Sequence, residues 1–386
     1  MPRHPGFSPS VHDIAGAVYS SLAHRLATYR GEVYPLHVGD TWMEPAEGCR
    51  MEDLKVAEHP GMHRYAPPQG IPALLDAIAE RVRQRTGVPT GRDNVLVTTG
   101  ATGGLAAVAG AIVAPGDEVL LLAPHWPLIT GIVQSFHGVP VDVPFFGAAD
   151  SLETAVEAVK ALRTDRTIAL YLNTPSNPTG RVIPRSWIEA LVAWAQREDL
   201  WILADEVYED YVYGGDGGEH TYTRPLAPER TFASHSFSKA YGMAGNRCGY
   251  VVGPAAAVGE LRKIGMHSFY STPTAAQLAA LNVLSPLGDA WVAQARDLYR
   301  QAGEKTAARL GLDAPKGSAF LFFDVAEHLD ETGLAGFLER CVDRGLFLSP
   351  GSSFGPYPTH VRLCFTAAPP DVTERGVEAL APLLGR

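Results

Sequence analysis

The sequence predicts an α/β fold: a large domain built on a mainly parallel sheet, joined to a smaller α+β unit. Three observations predict it. Between residues 70 and 255, short runs that are apolar almost throughout alternate with stretches of helical period. From about residue 290 the pattern changes to one long helical stretch followed by isolated strand-like runs. The chain's 386 residues also exceed one average domain.

The elements follow in order. "IPALLDAIAERVRQRTG" carries apolar residues at 71, 74, 75, 78 and 82, the spacing of one helix face. Six buried-strand candidates come next: "NVLVTTG", "EVLLLAP", "TIALYLNTP", "LWILADEVY", "TFASHSFSK" and "CGYVVGP". Helical patterns such as "SWIEALVAWAQRED" separate several of them. The second unit holds the helix "AWVAQARDLYRQAGEKTAARLG" and the strands "AFLFFDV" and "HVRLCFT". Chain ends often meet in space, so residues 1–45 are assigned with 286–386, and 46–285 form the large domain.

Composition narrows the function. Apolar residues make up 46% and charged residues 19%, which is globular. A net charge of −10 argues against a nucleic-acid footprint. "MPRHPGFSPSVHDIAG" has no apolar core of a secretory signal, and "EVLLLAPHWPLITGIV" is too broken by proline and histidine to span a membrane. Cys49, Cys248, Cys341 and Cys364 form no Cys-x-x-Cys pair, so neither a zinc site nor a disulfide framework is expected. A cytoplasmic protein is the resulting expectation.

Chemistry gathers just past the strands. "VLVTTG" opens into the small residues of a helix start, with Ala101 and Thr102, a natural anion site. "LLLAP" leads to His125 and Trp126, "IALYLN" to Asn177, "WILA" to Asp205, Glu206 and Tyr208, and "TFASH" to Ser236, Ser238 and Lys239. In an open α/β sheet, ligands bind at the carboxyl ends of the strands. An anion nest, an indole, an amide, a carboxylate, a phenol and a lysine therefore converge on one edge. Pyridoxal 5′-phosphate requires such a set: a lysine for its aldehyde, a carboxylate for its pyridine nitrogen, a flat neighbour and a phosphate cup.

"NTPSNPTG", "LADEVYEDYVY", "SFSKAYGMAGNRCGY", "HVRLCFT" and "YAPPQGIPALLDAIA" resemble the fold-type-I pyridoxal-phosphate enzymes, aminotransferase class I/II. The resemblance spans residues 35–385. It implies a seven-stranded sheet and a homodimer with shared active sites. It also implies an aminotransferase acting on an L-amino acid and a 2-oxo acid.

The resemblance implies a role for each of these residues. Lys239 is the Schiff-base lysine and, once freed, the base at the substrate Cα. Asp205 pairs with the pyridine nitrogen. Glu206 is the weaker candidate, because neighbours on a strand face opposite sides. Asn177 and Tyr208 hydrogen-bond the cofactor phenol, and Trp126 stacks on its ring. His125 is a packing residue. Arg247, Ser236, Ser238, Ala101 and Thr102 hold the phosphate. By resemblance, Tyr65 reaches the partner's phosphate, and the Gly39 backbone closes over the substrate carboxylate. Arg362, an arginine inside an apolar strand, grips that carboxylate.

The resemblance thins at "VGDTWMEPAEGC", where Asp40, Trp42 and Met43 stand in place of the family's usual G-E-P-D. Trp42 and Tyr19 would make an aromatic-lined pocket, and Arg50, Arg64 and Arg262 have no assigned place. The same core residues also serve a pyridoxal-phosphate-dependent lyase, cyclase or oxidase, which is the alternative. A ligand-sensing regulator on this fold would carry an added DNA-binding segment, and the acidic composition speaks against one.

Overall fold

The computed structural model describes residues 6–12, 14–16, 22, 24–25, 28–214 and 219–386. Tyr19 and residues 215–218 of the glycine-rich loop lie outside the described residues.

Seven strands form the main sheet: β1 (Val95–Thr98), β2 (Glu118–Ala123), β3 (Val139–Pro144), β4 (Thr167–Asn173), β5 (Trp201–Asp205), β6 (Thr231–Ser236) and β7 (Gly249–Val252). Their spatial order is β1-β7-β6-β5-β4-β2-β3. The pairs from β3 through β6 are parallel, and β7 runs antiparallel to both its neighbours. The sheet is thus mainly parallel. Its central strands are covered on both faces, which is why they read as continuous apolar runs.

The strand β3, "VPVDVP", escapes the sequence reading. Its two prolines suit an edge strand, where one side of the ladder is unpaired, and only Val143 along it is buried.

The helices fall close to their expected places: Pro72–Thr86, Arg185–Arg197 and Pro286–Arg309. Gly87, with φ +70°, ends the first of them by letting the chain turn left-handed. A second sheet is antiparallel, with order β8 (Phe320–Asp324), β10 (His360–Cys364), β9 (Ser349–Pro350). The two-residue β9 is too short to show a sequence pattern. Leu36 packs in one apolar cluster with Tyr299, Phe320, Val361 and Leu380, so the segment around it joins the C-terminal part of the chain. Among the described residues, no helix is long and apolar enough to cross a membrane.

Candidate active site

Where β4, β5 and β6 end, the chain encloses a cavity of about 260 Å³. Gly39, Ala101, Thr102, Trp126, Asn177, Asp205, Tyr208, Ser236, Ser238, Lys239, Arg247 and Arg362 all line it. Of the residues expected to hold the cofactor or the substrate carboxylate, Tyr65 alone stands apart. It is 86% exposed, with its ring edge-on to Tyr270 at 4.9 Å.

Lys239 lies in the short helix Phe237–Ala240, which starts directly after β6. The Ser236 hydroxyl caps that helix, accepting from the Ser238 N–H at 3.0 Å. The helix turns the lysine back over the strand end, and its buried amine donates to the Gly39 carbonyl. Burial pushes the amine's pKa below the ordinary lysine value. Arg362 and Arg247 push the same way, against Asp40 and Cys364.

Asp205 ends β5 and is 4% exposed. Its Oδ2 accepts from the Tyr171 hydroxyl at 2.7 Å, and its Oδ1 from the Val207 N–H at 3.4 Å. Burial drives its pKa up to about 6, although both hydrogen bonds pull it down. Among the described residues, no lysine or arginine forms an ion pair with it. Glu206, one residue on, faces the other side, where it accepts from the Thr223 N–H at 2.8 Å.

Anion donors gather across the cavity. Ala101 and Thr102 begin the helix Gly100–Ile112, whose first N–H groups have no partner within the helix. Gly100 has φ +71°, and a Cβ there would sit 2.7 Å from the Arg247 guanidinium. A Cβ on Gly249 would come within 2.8 Å of the Ala101 nitrogen. Only glycine lets these donors close into a cradle. Arg247 itself is left-handed, with φ 51°, and directs its fork back toward the strand ends.

Arg362 is fully buried at the centre of β10. One arm donates to Asn177 Oδ1 at 2.9 Å and the other to the His37 carbonyl at 2.6 Å. Its guanidinium stacks over Phe320 at 4.4 Å and Phe354 at 4.7 Å. Two aromatic faces and a fixed hydrogen-bond fork hold the charge in one orientation.

Sequence reasoning missed several supporting residues. Asn173 joins two parts of the site: its Oδ1 accepts from the Asn177 N–H at 2.7 Å, and its Nδ2 donates to the Asp205 carbonyl at 2.8 Å. The imidazole of His37 has its pKa lowered to about 4 by burial and by Arg362, so it is neutral beside the guanidinium. Tyr171 read only as one more apolar residue of a strand. The imidazole of His125 lies between Asp142, at 2.9 Å, and the Trp126 carbonyl, at 3.1 Å, a bracing position.

Trp42 departs from expectation. It packs against the cluster of Tyr299 and Phe320 and does not line the cavity; its backbone N–H donates to the Thr366 carbonyl at 2.9 Å, which ties this segment to the C-terminal part of the chain. Arg50 pairs with Glu44, and Arg262 reaches Gln69, so neither enters the cavity.

A buried amine and a buried, unmatched carboxylate face one cavity, with an anion cradle beside them. This set fits a ligand bearing an aldehyde, a cationic ring nitrogen and a phosphate. Comparison with known proteins points the same way. The profile of aminotransferase class I and II matches residues 34–380. The aspartate/prephenate aminotransferase of Thermus thermophilus is 33% identical over 333 residues, covering 84% of this chain and 84% of the relative. The arginine–pyruvate transaminase of Pseudomonas aeruginosa is 34% identical over 316 residues, 78% of each chain. The structure of Thermus thermophilus aspartate aminotransferase with maleate superposes with a TM-score of 0.89 at 30% identity, over 98% of this chain and 100% of that one. The chain belongs to the class I and II aminotransferases.

Proposed function

We propose that the protein is a pyridoxal-phosphate-dependent aminotransferase that moves the amino group between an L-amino acid and a 2-oxo acid. One observation carries the reading: buried Asp205 and half-buried Lys239 line the same cavity without an ion pair to each other or to another described residue. Leaving two such groups unmatched costs stability, and a cofactor that supplies both partners accounts for it.

Lys239 would hold the cofactor through its amine, and Asp205 would face the ring nitrogen. Ser236, Ser238, Arg247 and the N–H groups of Ala101 and Thr102 would hold the phosphate. Trp126 would cover one ring face, and Asn177 and Tyr208 would reach the ring hydroxyl. When bound, the cofactor supplies an aldehyde that captures the substrate amine and a ring that draws electrons from Cα.

The chain's residues do the rest. Arg362 and the Gly39 backbone fix the substrate carboxylate, which aims the Cα–H bond. The Lys239 amine would be the group placed to take the proton from the substrate Cα. Burial lowers its pKa and so favours the neutral amine that a base requires. Trp126, Val38 and Leu128 border the same cavity and limit water there.

The reading includes a cytoplasmic homodimer in which Tyr65 serves the partner's phosphate; the exposure of Tyr65 supports this. It also includes a cofactor domain of residues 46–285 and a smaller domain of 1–45 with 286–386. The packing of Leu36 against Tyr299 and Phe320 supports that division.

A single-turnover reaction tests the chemistry. Protein loaded with pyridoxal phosphate is mixed with a panel of L-amino acids, without any oxo acid. One equivalent of 2-oxo acid per site, with the cofactor left in its amine form, is the expected result. Repeated turnover releasing ammonia or a side-chain fragment would replace transamination with the lyase or oxidase reading.

A further inference from the structure

We propose that Tyr171 is a positioning residue for the cofactor's ring nitrogen, acting through Asp205. This rests on the pyridoxal-phosphate reading above. Tyr171 lies in β4 and is wholly buried, yet its hydroxyl is not idle: it donates to Asp205 Oδ2 at 2.7 Å. The register explains the meeting. In the parallel pair β4·β5, Asn173 lies opposite Asp205 and Tyr171 opposite Leu203. The long phenol reaches forward from there to the carboxylate, while Asn173 fixes the Asp205 backbone.

The consequence is chemical as well as steric. Asp205 sits in a low-dielectric place that favours its neutral form. A neutral acid cannot stabilise a cationic ring nitrogen by charge. Tyr171 supplies a hydrogen bond to the ionised form and brings no competing charge of its own. Burial and the adjacent carboxylate hold its own proton firmly, so it remains a donor. It also occupies Oδ2, leaving Oδ1, with its long 3.4 Å contact to the Val207 N–H, as the freer oxygen for a ligand. The other groups around Asp205 are Glu206 directly after its strand, His235 from β6, and Tyr208 and Lys239 around the cavity. Of these, His235 favours ionisation of Asp205 and Glu206 opposes it. A phenylalanine at this position would fill the same space and leave Asp205 without its shortest hydrogen bond.

The test is the pH dependence of pyridoxal-phosphate affinity, measured by fluorescence titration of the apoenzyme from pH 5.5 to 9. Wild type, Tyr171→Phe, Asp205→Asn and the double variant are compared, with melting temperatures recorded alongside. Tyr171→Phe is expected to move the acid limb of affinity upward by one pH unit or more. At pH 5.5 its binding should approach tenfold weaker than wild type, a unit shift being at most about tenfold in affinity well below both pKa values, and it should converge with wild type above pH 8. In the Asp205→Asn background the same substitution should change affinity less than twofold. A uniform loss at every pH, or an equal loss in the Asp205→Asn background, would make Tyr171 a packing residue and overturn the inference. Wild type with no affinity for pyridoxal phosphate would overturn the cofactor reading and this inference together.

Discussion

The two sides of the sheet around the ends of β5 and β6 hold similar residues in opposite electrostatic states. On the cavity side, buried Asp205 and half-buried Lys239 have no ionic partner among the described residues. On the other face, Glu209 accepts from His235 at 3.0 Å and pairs with Arg85 at 3.2 Å, and Arg85 also grips Asp210 at 2.7 Å. The difference shows between Asp205 and Glu209, although burial still raises the pKa of Asp210 beside Arg85. Burial wins at Asp205 and raises its pKa to about 6. At Glu209 burial pulls the same way, but His235 and Arg85 overcome it and hold the carboxyl well below the usual range. One strand pair therefore supports a matched network that stabilises the fold and an unmatched pair that leaves charge for a ligand to meet.

The sharpest way to break this comparison is to remove one cation from each face. Lys239→Ala should lower turnover by about 10³-fold or more, the scale of losing a positioned acid–base group. It should leave the melting temperature of the apoenzyme unchanged or higher, since a buried amine is being deleted. Arg85→Met should do the reverse. Glu209 and Asp210 would be left buried without their cation, at a cost of about 3–5 kcal/mol in denaturant unfolding. Turnover per folded molecule should stay near wild type. If Arg85→Met keeps its stability but loses activity, the network belongs to the site and the two faces are not separate.

Much of this was legible in the sequence, for a physical reason. Residues such as Asp205 and Lys239 follow strands buried on both faces, so a polar residue at the end of an apolar run stands out. Arg362 stands out likewise inside "HVRLCFT". The missing parts lack that contrast. Tyr171 lies within "IALYLN", where an aromatic residue reads as packing, and its hydroxyl gains meaning only through the β4·β5 register. His37 precedes the strands and meets Arg362 only in the folded chain. The strand β3 is hidden by prolines that an edge tolerates. The expectation for Trp42 failed because "VGDTWMEP" gives no sign of which side of the chain the Thr366 carbonyl will hold.

The smallest expected effect sharpens the comparison most, because its sign depends on the ligand. In the apoenzyme, Asp205 has a folded-state pKa raised to about 6, above its unfolded value. The folded state thus binds its proton more tightly than the unfolded state does. The associated stability is present below about pH 4 and is lost as pH rises through about 6. Asp205→Asn does not titrate there. Above pH 6 the variant apoenzyme should be the more stable of the two, by at most about 3 kcal/mol. Glu209→Gln should behave oppositely: destabilised at neutral pH, with the deficit fading in acid, because its carboxylate is already matched. Adding pyridoxal phosphate should then reverse the order at Asp205 alone, since a cationic ring nitrogen favours a carboxylate over an amide. Melting curves from pH 4 to 8, with and without the cofactor, check all three signs. An Asp205→Asn protein less stable than wild type without cofactor would mean that Asp205 is matched within the chain, and the contrast between the two faces would fall.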